Sequence, residues 1–418
     1  MNGLPASKRG AALLFIFITV VLDMMAFGII APVFPKLVLN FQGGDATRAA
    51  EILGIFGTAF AVMQFFFSPL LGMLSDRFGR RPVILISTFG LGIDYIIMAL
   101  APNLWWLFAG RVISGITAAS MTTAGAYIVD VTPAEKRAGG FGIIGAAFGI
   151  GFVLGPALGG FFGGLNPRLP FWIAAGFSLA GWLYGLLVLP ESLPPEKRAT
   201  RLSWARANPV GSLKLFASHR ALLGLAAVYF IGYIGHLSLG NIWVLYAIYR
   251  YDWSQTTIGL SLALVGALTV VVSALAVKRA VARFGERNTM LLGLAFAASG
   301  FVLFGFAANV TLFWLGIPFM ALFGLMGPAG QTMMSHLVKP HEQGELQGAI
   351  NSMRAIAMLI GPGLFTGTFA AFIDPHRAWQ FPGAPWLLSA LLMLTALALA
   401  LRVTRSAVTS VVAEAQRA

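Results

Sequence analysis

The chain has 418 residues, of which 58% are hydrophobic and only 10% are charged, and its mean hydropathy is +0.82. Soluble domains carry about 25% charged residues, so this composition excludes an ordinary soluble protein and indicates a protein embedded in a membrane. The formal net charge is +13, and the chain contains no cysteine, which excludes disulfides and thiolate metal sites.

Apolar segments long enough to cross a membrane recur along the whole chain. A helix needs about 20 apolar residues to cross a hydrocarbon layer of about 30 Å. A β-barrel would show segments of about ten residues with alternating character, so the spans are predicted to be helices and the fold all-α. Twelve spans are predicted, at 11–34, 50–74, 82–101, 104–129, 138–163, 170–189, 221–248, 255–277, 288–307, 310–335, 346–372 and 383–402.

The basic residues are divided unevenly between the two sides of the predicted membrane. With the N-terminus placed inside, all but five of the lysines and arginines outside the spans lie on the inner side. The five on the outer side are Lys36, Arg48, Arg168, Arg250 and Arg377. This asymmetry follows the positive-inside rule and predicts that both termini are cytoplasmic. It explains the positive net charge without nucleic acid as a partner.

The two halves of the chain resemble each other. SDRFGRR matches VARFGER, TPAEKRAGG matches KPHEQGELQ, and VLGPALGG matches LIGPGLFT. Gly79 therefore corresponds to Gly285 and Pro156 to Pro362, at one shared offset along the chain. Such a repeat predicts two pseudo-symmetric six-helix bundles with a cavity for a solute at their interface. The predicted domains are an N-terminal bundle at 1–190, a basic cytoplasmic linker at 191–219 and a C-terminal bundle at 220–418.

Few ionisable or amide side chains lie within the predicted spans, and these are the candidate residues for a substrate cavity and for proton coupling. An Asp, Arg or Lys at the centre of a membrane helix costs about 2.5–3.5 kcal/mol, so such residues normally face a cavity or a partner. The candidates are Asp23, Gln64, Asp94, Arg111, His236, Asn241, Gln331 and Arg354.

Asp23 and Asp94 are the two acids of this set, and both lie in the first half. A carboxylate whose hydration alternates can take up and release a proton, or it can hold a cationic group. Alternatively, each acid is neutralised permanently, for example by Arg111, and only fastens helices together. The position that corresponds to Asp23 in the second half is the uncharged Tyr229, so the two halves are predicted to differ in chemistry.

The other charged candidates also have two interpretations each. Arg354 could meet an anionic group of a substrate or an acid of the first half. Arg111 lies near a span end, from which its charge could reach the interface. His236 could titrate, although a lone histidine in a Gly-rich helix more often serves only in hydrogen bonding.

The sequence contains no pattern that indicates a cofactor or a catalytic centre. The polar residues of the spans lack metal-ligand spacing and nucleophile–base spacing, and no Gly-rich phosphate loop with a lysine occurs. We therefore expect neither a metal nor another cofactor, no ATP-driven step and no enzymatic activity.

Small residues recur every four positions in the fifth span. Gly151, Gly155, Gly159 and Gly163 lie on one helical face, so another helix can approach to backbone contact, and Pro156 adds a bend. This pattern indicates either tight packing alone or a smooth face along which the two halves meet and separate.

These motifs carry a resemblance to a family. GMLSDRFGRRP (72–82) resembles the loop signature of the major facilitator superfamily, since Gly72, Asp76, Arg77, Gly79 and Arg80 all fall in place. The fifth-span stripe resembles that of the superfamily's drug:proton antiporters. LDMMAFGIIAPVFPKL, LGIDYIIMALAPNLWWLFAGRVISGITAAS, AGAYIVDVTPAEKRA and GELQGAI are similar to stretches of its tetracycline-efflux branch.

The resemblance implies roles for several of these residues. Asp76, Arg77 and Arg80 would form a conformational lock with Asp130 at the end of the fourth span and stabilise the outward-facing state. Asp23 and Asp94 would line the path of substrate or proton. Tetracycline pumps carry an acid in the ninth span and a histidine in the eighth, where this chain has Ala297 and Thr269.

The sequence thus predicts a monomeric secondary transporter in a bacterial inner membrane. It would export a hydrophobic or amphipathic small molecule in exchange for protons, through inward- and outward-facing states. The alternative is a proton-coupled symporter or facilitator for a polar nutrient, which would need more hydrogen-bonding side chains than the spans contain. A membrane scaffold or receptor without transport would not need a central acid.

Overall fold

A computed structural model describes residues 6–118, 120–132, 137–199, 211–217 and 220–415. Among these residues no β-strand occurs, and the prediction of an all-α protein is confirmed. Residues 133–136 of the TPAEKRA segment and residues 200–210 and 218–219 of the predicted linker lie outside the described residues.

Seventeen α-helices are described along the chain. They are α1 (Ala6–Ile30), α2 (Phe34–Phe41), α3 (Ala46–Phe78), α4 (Arg80–Leu100), α5 (Leu104–Thr117), α6 (Ser120–Val131), α7 (Arg137–Leu165), α8 (Leu169–Val188), α9 (Lys214–Ala217), α10 (Arg220–His236), α11 (Ser238–Tyr251), α12 (Gln255–Val271), α13 (Val277–Phe306), α14 (Val310–Ala321), α15 (Met326–Ser335), α16 (Gln343–Ile373) and α17 (Ala384–Ala415). A π-helix (Val272–Ala276) joins α12 to α13, and a 3-10 helix (Leu322–Leu325) joins α14 to α15.

The helices correspond to the twelve predicted spans with two differences. Ten continuous stretches of the described residues are long and apolar enough to cross a membrane. The fourth span is missing from these ten because it is divided into α5 and α6, which have 14 and 12 residues. The eighth and ninth spans are joined in one stretch, Gln255–Phe306, which is interrupted by the positive φ of Gly285.

The first predicted span, at 11–34, overlaps one apolar stretch, Leu14–Phe41, which the structure divides into two helices. Helix α1 ends at Ile30, and α2 begins at Phe34 with a proline in its first turn. Pro32 has no amide hydrogen and disfavours helical conformation in the residue before it, whereas Pro35 lies where a helix needs no amide donor. The two prolines therefore divide this apolar segment into two helices.

The chain forms two compact units. Unit 1 comprises Met1–Asp45, Ile55–Asn208 and Asp252–Ala267, and unit 2 comprises Ala46–Gly54, Pro209–Tyr251 and Leu268–Ala418. These units are defined by packing, and the predicted domain boundaries at 190 and 220 stay a prediction.

In unit 1, α1 packs against α7 and α8, and α4 packs against α5, α6 and α8. The core of this unit includes Phe15, Val20, Ile84, Tyr127 and Ile128, all of which are buried. Helix α4 is therefore central to the unit, which places its polar residues inside the protein.

In unit 2, α13 packs against α14, α15 and α17, and α10 packs against α16 and α17. An aromatic cluster forms its core, in which the Trp243 ring lies 4.8 Å from Phe313 and 6.1 Å from Trp386, measured between ring centroids. Burial of such large side chains, together with their offset and edge-to-face contacts, stabilises the unit.

Candidate functional site

Asp94 lies on α4 and is completely buried in unit 1. Its Oδ2 accepts a hydrogen bond from the hydroxyl of Ser114 on α5, and Nη2 of Arg111 lies 4.0 Å from the same oxygen. Its Oδ1 has no hydrogen-bond partner among the described residues. A buried carboxylate with one oxygen left without a donor is a group that can accept a proton at low structural cost.

Helix α5 presents the partners of Asp94 on one face. Arg111 and Ser114 are three residues apart, which brings both side chains to the side of α5 that meets α4. Gly110 precedes them, and a methyl group there would approach Oδ1 of Asp94 to 2.6 Å. The glycine therefore leaves the space that the carboxylate occupies.

The side chain of Arg111 is largely buried in unit 1. Its guanidinium lies 4.7 Å from the centroid of Phe34 and 5.8 Å from that of Phe60, and its side chain is only 13% exposed. The aromatic faces and Asp94 together compensate its charge. The interpretation that its charge reaches the membrane interface stays a prediction.

Asp23 lies on α1 and is also buried in unit 1, at 5% exposure. The hydrogen bond and the ion-pair contact described above join Asp94, Ser114 and Arg111 in unit 1. We call these three residues the acid cluster.

Arg354 belongs to a separate cluster in unit 2. Its Nε and Nη2 both donate to the hydroxyl of Tyr229, and the Nε distance is 3.0 Å. Gln331 donates to the same hydroxyl from its Nε2, at 2.9 Å. The structure thus brings together two predicted site residues through Tyr229, the residue at the position that corresponds to Asp23.

The remaining candidates lie outside these two clusters. The ring of His236 stacks on Phe323 with 4.4 Å between centroids, and its Nδ1 has no hydrogen-bond partner among the described residues. Asn241 donates to the carbonyl of Leu237 in its own unit. Gln64 is half-buried on α3, one turn after Phe60.

A third cluster surrounds Arg80 at the start of α4, and it includes Asp76 and Asp130 of the predicted lock but not Arg77. Nε of Arg80 donates to Asp130 at 3.0 Å, and Nη1 donates to Asp76 at 2.5 Å and to Ser75 at 2.7 Å. Arg80 is 10% exposed, Asp130 19% and Asp76 53%. We call these four residues the Arg80 cluster. Arg77 is exposed and lies over the ring of Phe78.

The sequence reasoning missed Glu191, which caps α4. Its carboxylate accepts from the backbone amides of Arg80 and Arg81, and an anion at a helix N-terminus is favourable. Gly79 makes this approach possible, because its φ is +106° and a methyl group there would lie 2.2 Å from Oε2 of Glu191. The signal was an acid directly after a predicted span, in PES at 190–192.

The glycine stripe of α7 packs against α1 within unit 1. A methyl group at Gly155 would lie 2.7 Å from Cα of Gly28, and one at Gly159 would lie 2.1 Å from the carbonyl oxygen of Ile29. Gly151 faces Met24 in the same way, beside Pro156 on α7. The prediction of backbone contact is confirmed. The interpretation that this helix also lets the two halves meet and separate stays a prediction.

We expect Gly155→Ala to destabilise the protein by about 1–3 kcal/mol, because α1 must move away from the added methyl group. Gly145→Ala on the same helix is the matched control, since nothing lies within 4 Å of a methyl group there and alanine favours a helix over glycine. Thermal unfolding of the purified variants in detergent measures the difference. An equal midpoint for both variants would contradict the close packing of α1 and α7.

Comparison with protein families agrees with this architecture. The family model described as Major Facilitator Superfamily matches residues 16–249 and again residues 225–417. The chain belongs to the major facilitator superfamily.

Curated relatives place this major facilitator protein near one branch of the superfamily. The class C tetracycline resistance protein of Escherichia coli is 39% identical over 394 residues, which are 93% of this chain and 96% of that protein. The class G protein of Vibrio anguillarum is 37% identical over 392 residues, with the same coverage. The resemblance to the tetracycline-efflux branch is confirmed.

Solved structures show the same fold. A bacterial homologue of the human lysosomal transporter Spinster, in an inward-facing and occupied conformation, has a TM-score of 0.77 at 19% identity and covers 96% of this chain and 98% of that chain. The human organic anion transporter MFSD10 has a TM-score of 0.69 at 24% identity and covers 95% and 100%. The major facilitator fold of this multi-pass membrane protein is therefore confirmed.

Proposed function

We propose that this major facilitator protein exports a hydrophobic or amphipathic drug, of the kind that tetracycline represents, in exchange for protons. The observation that carries the proposal is the buried acid cluster, in which Asp94 faces Arg111 and Ser114, in a chain 39% identical to a tetracycline resistance protein. Buried acids in membrane helices mark proton relays and substrate paths by default.

Asp94 is the group to which we assign the coupled proton. In the ionised state its charge is compensated by Arg111 and by the hydroxyl of Ser114. Protonation removes the attraction to Arg111 and leaves a neutral carboxyl group whose buried Oδ1 can carry the proton. A charge change of this kind biases a two-state element, so each proton taken up can be linked to one conformational exchange.

The Arg80 cluster is the conformational lock of the proposed cycle. Arg80 joins two carboxylates, Asp76 at the end of α3 and Asp130 at the end of α6. An ion-pair network that forms in only one state adds its free energy to that state. We propose that it stabilises the outward-facing state and breaks when the transporter turns inward.

The setting of the proposed cycle is a bacterial inner membrane with both termini in the cytoplasm. The uneven distribution of lysine and arginine supports this orientation. We propose that the protein works as a monomer, with the proton gradient as its energy source and with the drug and protons as its only small partners.

The drug need not be tetracycline itself. The positions where tetracycline pumps carry an acid and a histidine are Ala297, which is completely buried on α13, and Thr269, which is exposed on α12. Neither side chain can carry a proton or an ionic contact. We therefore extend the proposed substrates to other amphipathic aromatic drugs.

The alternative, a proton symporter for a polar nutrient, predicts the opposite direction of proton movement. Two of the amide side chains that a polar site would need, Asn241 and Gln331, already donate hydrogen bonds within the protein. Sugar and nucleoside sites need several free hydrogen-bonding groups. The polar side chains therefore favour a less polar substrate.

A reconstituted vesicle assay tests the proposed function. The purified protein is placed in lipid vesicles with a trapped pH-sensitive dye, and a gradient of tetracycline, another amphipathic drug or a sugar is imposed without a pH gradient. We expect the drugs to drive protons in the direction opposite to their own movement. Proton movement in the same direction as a substrate would support the symporter, and no response to any drug would refute the proposal.

A further inference from the structure

Four side chains of unit 2 form a donor-rich cluster around Arg354. Arg354 lies on α16, Tyr229 and Tyr233 lie on α10, and Gln331 lies on α15. The guanidinium carbon is 5.4 Å from the centroid of Tyr229 and 5.8 Å from that of Tyr233. The two tyrosine rings are nearly parallel, with 7° between their planes and 6.5 Å between their centroids.

The hydrogen bonds of this cluster are unbalanced. Three N–H donors, two from Arg354 and one from Gln331, converge on the hydroxyl oxygen of Tyr229, which has only two lone pairs. A guanidinium carries five N–H donors, and no other described residue accepts from Arg354. The cluster therefore has more donors than acceptors.

The charge of Arg354 is also uncompensated within its own unit. Among the described residues of unit 2, no carboxylate lies within the 4.0 Å distance of an ion pair with Arg354. Arg111 of the acid cluster differs in this respect, because Asp94 lies at that distance. A partly buried cation without a nearby anion is unfavourable. A ligand with an anionic group would therefore gain the full electrostatic attraction to the guanidinium of Arg354.

We propose that the Arg354 cluster binds the anionic group of a planar aromatic substrate, such as a carboxylate or an enolate. The guanidinium provides paired donors that match two oxygens of an anion. The faces of Tyr229 and Tyr233 favour an aromatic ring beside that anion. The inference that this ligand is a transported substrate rests on the proposed function, whereas its binding does not.

The first test needs only the unaltered protein. The probes are 2-naphthoate and its neutral amide, 2-naphthamide, which have nearly the same shape and differ in charge. Isothermal titration calorimetry in detergent, without any proton gradient, measures both affinities. We expect 2-naphthoate to bind about tenfold to hundredfold more tightly, because its hydrogen bonds to Arg354 are charge-assisted. Equal affinities would overturn the proposal.

Two variants test whether Arg354 causes the tighter binding of 2-naphthoate relative to 2-naphthamide. We expect Arg354→Gln to reduce the affinity for 2-naphthoate to that for 2-naphthamide. Arg354→Lys keeps the charge without the paired donors and should retain part of the preference. Arg279→Gln, an exposed arginine of the same unit, makes the same charge change and should leave both affinities unaltered. If Arg354→Gln does not fold, as judged by gel filtration, an unchanged preference in Arg354→Lys would overturn the assignment.

The outcome is separable from that of the proposed function. Failure of drugs to move protons in vesicles refutes proton-coupled export but does not change the ratio of the two binding constants. Equal binding of the acid and the amide refutes the anion site but leaves drug-driven proton movement in place. An effect of Arg354→Gln on both measurements supports an anionic group on the transported substrate.

Discussion

Replacing Asp94 by asparagine should abolish proton movement driven by a drug gradient in reconstituted vesicles. Asparagine has the shape of aspartate and can still accept from Ser114, but it cannot take up a proton or carry the charge that faces Arg111. The drug-driven pH change that the trapped dye reports should fall to that of protein-free vesicles. We expect binding of the drug to the purified variant to persist, because the proton site and the bulk of an amphipathic ligand site are different groups.

Asp252→Asn is the matched control for this prediction. Asp252 is exposed and has a φ of +49°, a conformation that asparagine adopts readily, so the same chemical change should leave transport intact. Asp94→Glu keeps an ionisable group and should retain part of the proton movement. Breaking a buried pair costs about 3–5 kcal/mol, so thermal unfolding of each variant must accompany the transport assay. Full drug-driven proton movement in a folded Asp94→Asn variant would show that Asp94 does not carry the coupled proton.

Replacing Arg80 by glutamine should reduce the rate of drug export by about tenfold, because the proposed lock then loses both of its ion pairs. Asp76→Asn removes one pair only. Since Asp76 is 53% exposed, solvent screens this pair and we expect a smaller, few-fold loss of rate. The initial rate of drug efflux from vesicles, at equal amounts of folded protein, measures both effects.

The control for the lock is again an exposed arginine, Arg279→Gln, which removes one positive charge without breaking an ion pair among the described residues. Binding of the drug should be unaffected in all three variants, because the Arg80 cluster lies at helix ends and its side chains bond to one another. An unchanged export rate in Arg80→Gln would show that the cluster only holds α3, α4 and α6 together.

Local patterns in the sequence were sufficient for much of this architecture. The apolar spans predicted the membrane helices because every backbone polar group in lipid must be satisfied within its own helix. The glycine repeat predicted backbone contact because only glycine allows it, and the structure has Gly155 against Gly28. The resemblance to the family, rather than a local pattern, implied that Arg80 pairs with Asp130, and the structure has the two 3.0 Å apart.

Other features depended on contacts between residues distant in sequence. Pro32 and Pro35 follow the end of α1 at Ile30, but the predicted first span continued to residue 34. The sequence placed Glu191 just after a predicted span, but which helix its carboxylate caps was decided by tertiary packing. The identity of the helix that meets the glycine stripe was likewise not a local property, because any smooth helix can pack there.

The sequence by itself determined that the protein is an all-α membrane transporter of the major facilitator superfamily. It also showed acids inside the first half, and burying a charge in lipid is so costly that the presence of these acids is informative. Only the tertiary structure decided how those charges are compensated. Asp94 faces Arg111, whereas Arg354 has a tyrosine hydroxyl and no acid from its own unit among the described residues. The physical reason is that hydropathy depends on each residue alone, while compensation of a buried charge depends on atoms that folding brings to within a few ångströms.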